Sequence, residues 1–186
     1  GNQNVSSYVR RLSNDGTNLR FSTLIESCSS SCIICDDEGN AYIGGQTWYY
    51  EFPTTPSAYD TSYCLGLDGT YKSDGFIAQL SADGRKLLYA SFWGGTGADT
   101  VTSIQIDTYG YVIFCGTTES TDLPVTENAH YPTNPGFYNL FLTRMDIKRS
   151  KLLLSTYFGG NQAGAPSIAL DTNNNIFMTG FIGTSP

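Results

Sequence analysis

Leu152-Leu153-Leu154-Ser155-Thr156-Tyr157-Phe158-Gly159-Gly160 decides the fold, because the chain says nearly the same thing 65 residues earlier, as Leu87-Leu88-Tyr89-Ala90-Ser91-Phe92-Trp93-Gly94-Gly95. A weaker version lies 68 residues before that, at Leu19-Arg20-Phe21-Ser22-Thr23-Leu24-Ile25. A recurrence at this spacing marks a supersecondary unit that cannot bury its apolar face alone and must be stacked on its neighbours.

The residues around each copy follow one grammar. A period-two strand precedes it (residues 8–12, 76–80 and 141–145), joined to it by Asn14-Asp15-Gly16, Ala82-Asp83-Gly84 or Lys148-Arg149-Ser150. That is a β-hairpin. Tyr8, Phe76 and Phe141 open one face of the first strand, and Leu12, Leu80 and Met145 close it four residues later, the alternation of a strand with one buried face. A second hairpin follows each: residues 32–37 with 39–47, 101–107 with 110–118, and 167–171 with 174–182. Its turns align as Asp36-Asp37-Glu38-Gly39, Asp107-Thr108-Tyr109-Gly110 and Asp171-Thr172-Asn173-Asn174. Gly or Asn in the last place suits a left-handed backbone. Gly45, Gly116 and Gly180 recur at one matched position. Long connections cover residues 48–73 and 119–136, and loops of that length are functional or folded on their own side chains.

No stretch carries a helical apolar stripe over three turns. Four strands per repeat, twelve in all, predict an all-β fold of β-propeller-like repeats with four-stranded antiparallel blades. The expected division is residues 1–30 as the C-terminal half of a blade, 31–95 as a complete blade with the aromatic loop 48–73, 96–160 as a complete blade with the loop 119–136, and 161–186 as the N-terminal half of a blade.

Composition narrows the function classes. A net charge of −7 over 186 residues leaves no basic footprint for nucleic acid. No window of about eighteen apolar residues exists to span a membrane. Charged residues make up 15% of the chain, against about 25% in an average soluble domain. A surface of Ser, Thr, Asn and Tyr in their place predicts an extracellular or cell-surface protein. The chain opens at Gly1 without methionine or signal peptide, as expected of a processed chain or a segment of a longer one.

Three motifs in order, Tyr89-Ala90-Ser91-Phe92-Trp93-Gly94-Gly95, Asp36-Asp37-Glu38-Gly39-Asn40-Ala41-Tyr42-Ile43-Gly44-Gly45 and Phe52-Pro53-Thr54-Thr55-Pro56-Ser57-Ala58-Tyr59-Asp60-Thr61, resemble the SBBP β-propeller repeat. The resemblance covers almost the whole chain. It implies a propeller-like stack of antiparallel blades from secreted or surface-anchored proteins, and it brings no catalytic residues. The first copy departs from the pattern: Glu26-Ser27 replaces the two glycines, and Cys28, Cys32 and Cys64 fall in connections where the family has no cysteine.

Five cysteines allow at most two disulfides and leave one thiol over. The expectation is a disulfide among Cys28, Cys32 and Cys64, with Cys35 a buried thiol and Cys115 a thiol packed inside a strand. The spacing Cys28-x-x-x-Cys32-x-x-Cys35 matches an iron–sulfur motif. The enzymes that use it need an α/β barrel, which this chain cannot build. The acids at residues 36–38 and Asp171 with Asn173 to Asn175 lack the alternating pattern of a calcium loop and read as hairpin turns. His130 is the single histidine and has no Gly-x-Ser-x-Gly elbow beside it, so it reads as a packing residue. No catalytic, cofactor or metal residue is assigned. Trp48, Tyr49, Tyr50, Tyr59 and Tyr63, with Tyr71, crowd the first long connection, where they either stack on glycans or anchor an interface, or fold the loop onto its own blade. Asn4-Val5-Ser6 is a glycosylation sequon.

The ends point to assembly. Two blades and two halves make a three-bladed ring, below the usual minimum of four, and the halves leave open sheet edges. The leading expectation is a non-enzymatic structural or adhesive repeat protein that completes its blades head to tail between copies, as fibres, or against adjoining repeats. The alternatives are a carbohydrate-binding propeller using the aromatic loops, with glycans as partners, and a propeller segment of a larger secreted protein or enzyme.

Overall fold

Short polar side chains that bond their own backbone build the hairpin turns. In the computed structural model, which describes residues 5–66, 69–134, 137–159 and 163–183 apart from the side chains of Ala165 and Ile182, Asp107 Oδ1 accepts from Tyr109 N and Tyr111 N, both at 2.9 Å. Asp171 Oδ1 accepts from Asn173 N and Asn175 N at 2.8 Å, and Asp36 Oδ1 from Asn40 N at 2.8 Å. The reversing residue has positive φ in each case: Gly39 at 84°, Gly110 at 79° and Asn174 at 63°. Residues with a larger or branched side chain avoid that region, which accounts for Gly and Asn there. The other hairpins use a serine and an aspartate. Ser81 Oγ donates to Asp83 Oδ1 at 2.6 Å and accepts from Lys86 N at 2.9 Å, and Ser13, Asp15 and Asn18 repeat the arrangement.

These turns join twelve strands: β1 (Ser7–Leu12), β2 (Leu19–Ile25), β3 (Ser29–Cys35), β4 (Ala41–Thr47), β5 (Asp74–Leu80), β6 (Leu87–Trp93), β7 (Asp99–Ile106), β8 (Val112–Thr118), β9 (Asn139–Asp146), β10 (Lys151–Phe158), β11 (Ala163–Leu170) and β12 (Ile176–Ile182). The described residues hold no α-helix, so none is long and apolar enough to cross a membrane. The strands form four antiparallel sheets: β1-β2, then β3-β4-β5-β6, then β7-β8-β9-β10, then β11-β12. β3 starts at Ser29, slightly ahead of the expected boundary at residue 31.

The matched glycines mark a bulge. Pairing slips between Ser30 and Cys32 in β3, between Val101 and Ser103 in β7, and between Gly164 and Ser167 in β11. The extra residue throws a carbonyl over the partner strand. A Cβ on Gly45 would lie 2.1 Å from Ser29 O, and one on Gly116 1.8 Å from Thr100 O. Each glycine also faces an aromatic on the next strand, Gly45 opposite Phe76 and Gly116 opposite Phe141, and the ring covers the bare backbone.

The sheets stack face to face in chain order with a core at each junction. Val9, Ile25 and Cys28 meet Ile43, Phe76, Ala78 and Phe92 between the first and second sheets. Tyr42, Ile77, Tyr89 and Trp93 meet Val101, Ile104, Phe114 and Phe141 between the second and third, where Trp93 packs edge-on against Phe114 at 5.1 Å. Ile113, Cys115 and Leu142 meet Ile168, Leu170 and Met178 between the third and fourth. The complete sheets are therefore covered on both sides. β5 and β9 are buried nearly throughout and do not alternate between a buried and an open face, which corrects the one-faced expectation.

The long connections close the outer edge of each complete sheet. Thr55 N bonds Ala90 O and Phe92 N bonds Asp60 O, which ties the first connection along β6. Thr126 N to Ser155 O and Tyr157 N to Tyr131 O do the same on β10. Edge strands left bare invite pairing with other chains, and here the loops blunt them.

Candidate functional site at the two sheet ends

The repeats act as internal controls for one another. The cross-strand pair Tyr8 and Leu24 in the first sheet matches Phe76 and Phe92 in the second and Phe141 and Tyr157 in the third. The last four side chains are fully buried, each against the sheet that precedes its own. In the first sheet the same positions face outward: Tyr8 is 63% exposed and Leu24 65%, with Leu12 exposed beside them. Arg10 stacks over the Tyr8 ring at 4.5 Å. β3 shows the same asymmetry. Its Ile33 is 56% exposed, whereas the matching Ile104 and Ile168 are buried.

The other end is complementary. Phe177 of β12 stands where β4 has Tyr42 and β8 has Ile113, both buried against the following sheet, yet Phe177 is 62% exposed. Phe181 of the same strand and Phe158 at the end of β10 are exposed as well. Among the described residues neither β1 nor β12 has a second neighbour, so each presents a free row of backbone donors and acceptors.

A charged pair marks the same junction inside the molecule. Arg144 of β9 donates through Nε to Asp107 Oδ2 at 2.8 Å and through Nη2 to the same oxygen, with its guanidinium over Tyr111 at 5.1 Å. In β1 the matching residue is Arg11, which is turned aside to Ala82 O at 3.0 Å. In the last turn the matching carboxylate is Asp171, whose partners are all within its own turn.

The cysteines differ from expectation. All five are free thiols, and no disulfide joins Cys28, Cys32 and Cys64. They lie in three separate surroundings. Cys28 is sealed in the first core, where Sγ bonds Ile25 O at 3.4 Å. Cys32 lies inside β3, not in a connection, against the second core. Cys64 sits in the long loop beside Asp74. Burial pushes the Cys32 and Cys115 thiols up to about 12 and raises Cys28 as well, so none of the three offers a ready thiolate. Cys35 is exposed rather than buried, because the face of β3 that matches covered strands elsewhere is open here. Cys115 is fully buried.

The aromatic loop serves its own sheet. Tyr59 packs on Trp93 at 6.0 Å and gives its backbone N–H to Tyr89 Oη at 3.1 Å. Tyr63 packs on Phe92 at 5.9 Å and donates its hydroxyl to Lys72 O. Tyr49 is partly buried; Trp48 and Tyr50 are exposed. His130 is also exposed, its ring against Tyr131, which is a surface contact and not the expected packing position. Asn4 lies outside the described residues. No family model matches the chain, and no curated protein matches it.

Proposed function

We propose that this chain is a non-enzymatic extracellular structural or adhesive repeat protein of the β-propeller kind, and that its two end sheets are half-blades completed by a second copy, head to tail. One observation carries the reading: side chains that are buried in every complete sheet are exposed at both ends, and the two sets are complementary. The internal registers are the pattern for the proposed junction. β4 meets β5 with Gly45 opposite Phe76, and β8 meets β9 with Gly116 opposite Phe141. The same register sets Gly180 of one copy opposite Tyr8 of the next, so an aromatic again covers the glycine. It brings Arg11 to Asp171, as Arg144 meets Asp107. Phe158 then gains Tyr8, as Trp93 has Phe141, and Phe177 gains Ile33.

Strand addition of this sort takes affinity from main-chain bonds and specificity from the side chains between them. The contact is heterologous, so it makes a ring if the rotation closes and a fibre if it does not. Two copies joined at both ends would hold six blades, inside the usual range of about four to eight. Glycan stacking would have to rely on Trp48 and Tyr50, since Tyr59 and Tyr63 are engaged in packing.

The test is the mass in solution by light scattering across a hundredfold range of concentration, for the parent chain, Tyr8→Lys and Phe177→Lys. The parent should pass from monomer to dimer or longer forms, and either variant should stay monomeric with an unchanged circular dichroism spectrum. A parent that remains monomeric throughout, or variants that associate as it does, would rule the reading out.

A further inference from the structure

A second feature stands apart from the open ends. Asp74 begins β5 and Asp99 begins β7, so they meet across the junction of the two complete sheets. Both side chains are buried, with Asp74 at 1% and Asp99 at 0% exposure. Asp74 Oδ2 accepts from Cys64 N at 2.9 Å. Asp99 Oδ2 accepts from Gly95 N at 2.9 Å and Ser120 Oγ at 2.7 Å. Asp74 Oδ1 has no hydrogen-bond partner, and Asp99 Oδ1 has none of good geometry, the Thr118 hydroxyl being its nearest donor. Among the described residues neither carboxylate has an ion-pair partner. Two sealed carboxylates, each with a bare oxygen and no counter-charge, are costly unless something neutralises them.

The two carboxylates approach each other at the Gly94 backbone. Gly94 has no side chain, and a Cβ placed there would lie 2.6 Å from Asp99 Oδ2 and 3.3 Å from Asp74 Oδ1. Asp99 Oδ2 and Asp74 Oδ1 thus converge on the same stretch of bare backbone, from opposite sheets. More negative charge surrounds it. Asp122 Oδ1 accepts from Thr96 N at 2.9 Å, and Asp60 lies close enough to act on Asp74 as Asp122 does on Asp99.

The next junction supplies the comparison. At the position of Asp74 the third sheet has Asn139, paired with Thr118 as Asp74 is with Thr47. At the position of Asp99 the fourth sheet has Ala163, paired with Ile182 as Asp99 is with Thr118. Asn139 is satisfied by its neighbours: its Nδ2 donates to Asn134 Oδ1 at 3.0 Å, and its Oδ1 accepts from Leu140 N at 2.8 Å. Both acids are present at one junction and both are absent at the other. A turn or a packing role does not require that pairing; a shared ligand does.

We propose that Asp74 and Asp99 together hold a divalent cation of the calcium class beneath the Gly94-Gly95 turn, pinning the two complete sheets to each other. Carboxylate oxygens are the ligands that hard cations of this class take. Two carboxylates form a modest charge set, so the affinity belongs with extracellular modules, on the order of 0.1–1 mM. The reading does not depend on assembly, because both acids belong to one copy.

The test is calcium binding by calorimetry on the monomer at low concentration, with thermal melting in EDTA and with calcium chloride added back. The chain should bind one calcium ion and melt several degrees higher with it. Asp74→Asn and the double variant Asp74→Asn/Asp99→Asn should lose at least tenfold in affinity and melt at the same temperature with or without calcium. The asparagine at residue 74 mimics Asn139, which the fold already accepts, so the single variant is expected to fold. Asp171→Asn, in an exposed turn, should bind as the parent does. No calcium binding by the parent, or binding and a melting shift that survive in the double variant, overturns the proposal.

Discussion

Tyr8, Phe76 and Phe141 occupy one register position in three sheets, so truncating each to alanine should give three costs set by environment alone. Phe76 is fully buried, with Phe52 at 4.8 Å, and Phe141 is fully buried, with Trp93 at 6.0 Å. Removing a core phenylalanine costs about 3–5 kcal/mol, from lost transfer energy and from the cavity left behind. Tyr8 is largely exposed, so in the monomer its truncation should cost within about 0.5 kcal/mol. On assembly the same ring becomes buried, and burying an aromatic is worth about 1.5–3 kcal/mol. At about 1.4 kcal/mol per factor of ten, Tyr8→Ala should weaken the junction roughly 10- to 100-fold. Urea unfolding at low micromolar concentration gives the first three numbers, and sedimentation across concentration gives the last. A loss of 2 kcal/mol or more for Tyr8→Ala in the dilute monomer (an order expected only of buried sites), or an unaltered association constant, would refute the equivalence on which the junction rests.

Three other outcomes are expected. Arg11→Glu should weaken self-association at least tenfold, and adding Asp171→Lys should restore most of it, because the swap rebuilds the pair with its charges exchanged; sedimentation of the mixed variants measures this. Gly116→Ala should destabilise the monomer by about 1–3 kcal/mol in urea unfolding, since the new methyl would meet Thr100 O at 1.8 Å. Burial pushes Asp74 up to about 7 and Asp99 up to about 6, with Asp60, Asp122 and the Cys64 thiol nearby. The folded state therefore binds these protons more tightly than the unfolded one, and in EDTA stability should fall as pH rises from about 4 through 6 and 7. Urea midpoints at pH 5 and pH 8 test this, and Asp74→Asn should flatten the slope.

Much of the fold was legible because the repeat carries its own turn chemistry. Asp107 with Gly110, or Ser81 with Asp83, can close a hairpin in only a few ways, and the period-two stretches around them fixed where strands lie. The two-stranded hairpin at either end was legible for the same reason. Face burial was less so. Phe76-Ile77-Ala78-Gln79-Leu80 shows whether a strand has one covered face or two only once the neighbouring sheets are known, since Gln79 satisfies its amide on Tyr42 Oη at 2.7 Å within an otherwise covered strand. Cys35 misled because its repeat mates Ile106 and Leu170 are partly covered while its own face is open. The disulfide expectation failed because pairing depends on Cβ separations that spacing does not encode. Asp74 and Asp99, 25 residues apart in a chain with seventeen acids, carried no local signal at all. The approach of two sheets brings them together.

The comparison between repeats separates what the architecture demands from what one junction alone requires. Gly45 and Gly116 do not vary, because the carbonyl thrown up by the bulge leaves no space for a methyl, and Gly180 stands at the matching position beside the β11 bulge. Phe76 and Phe141 stay aromatic, since each has that glycine to cover, and Tyr8 holds the matching position in the first sheet. At the start of β5 and β9, by contrast, one repeat has Asp74 and the other Asn139, side chains of one shape and different charge. A purely structural position would tolerate the neutral amide in both places, and the buried carboxylate is the more expensive choice in free energy. It is kept where a second carboxylate converges with it on the Gly94 backbone. Neutral residues at the third-to-fourth junction and acids at the second-to-third put the proposed cation site at the centre of the chain, between the two four-stranded sheets. Such a site would set the rigidity of the unit, and under the proposed junction the open ends would set how units join.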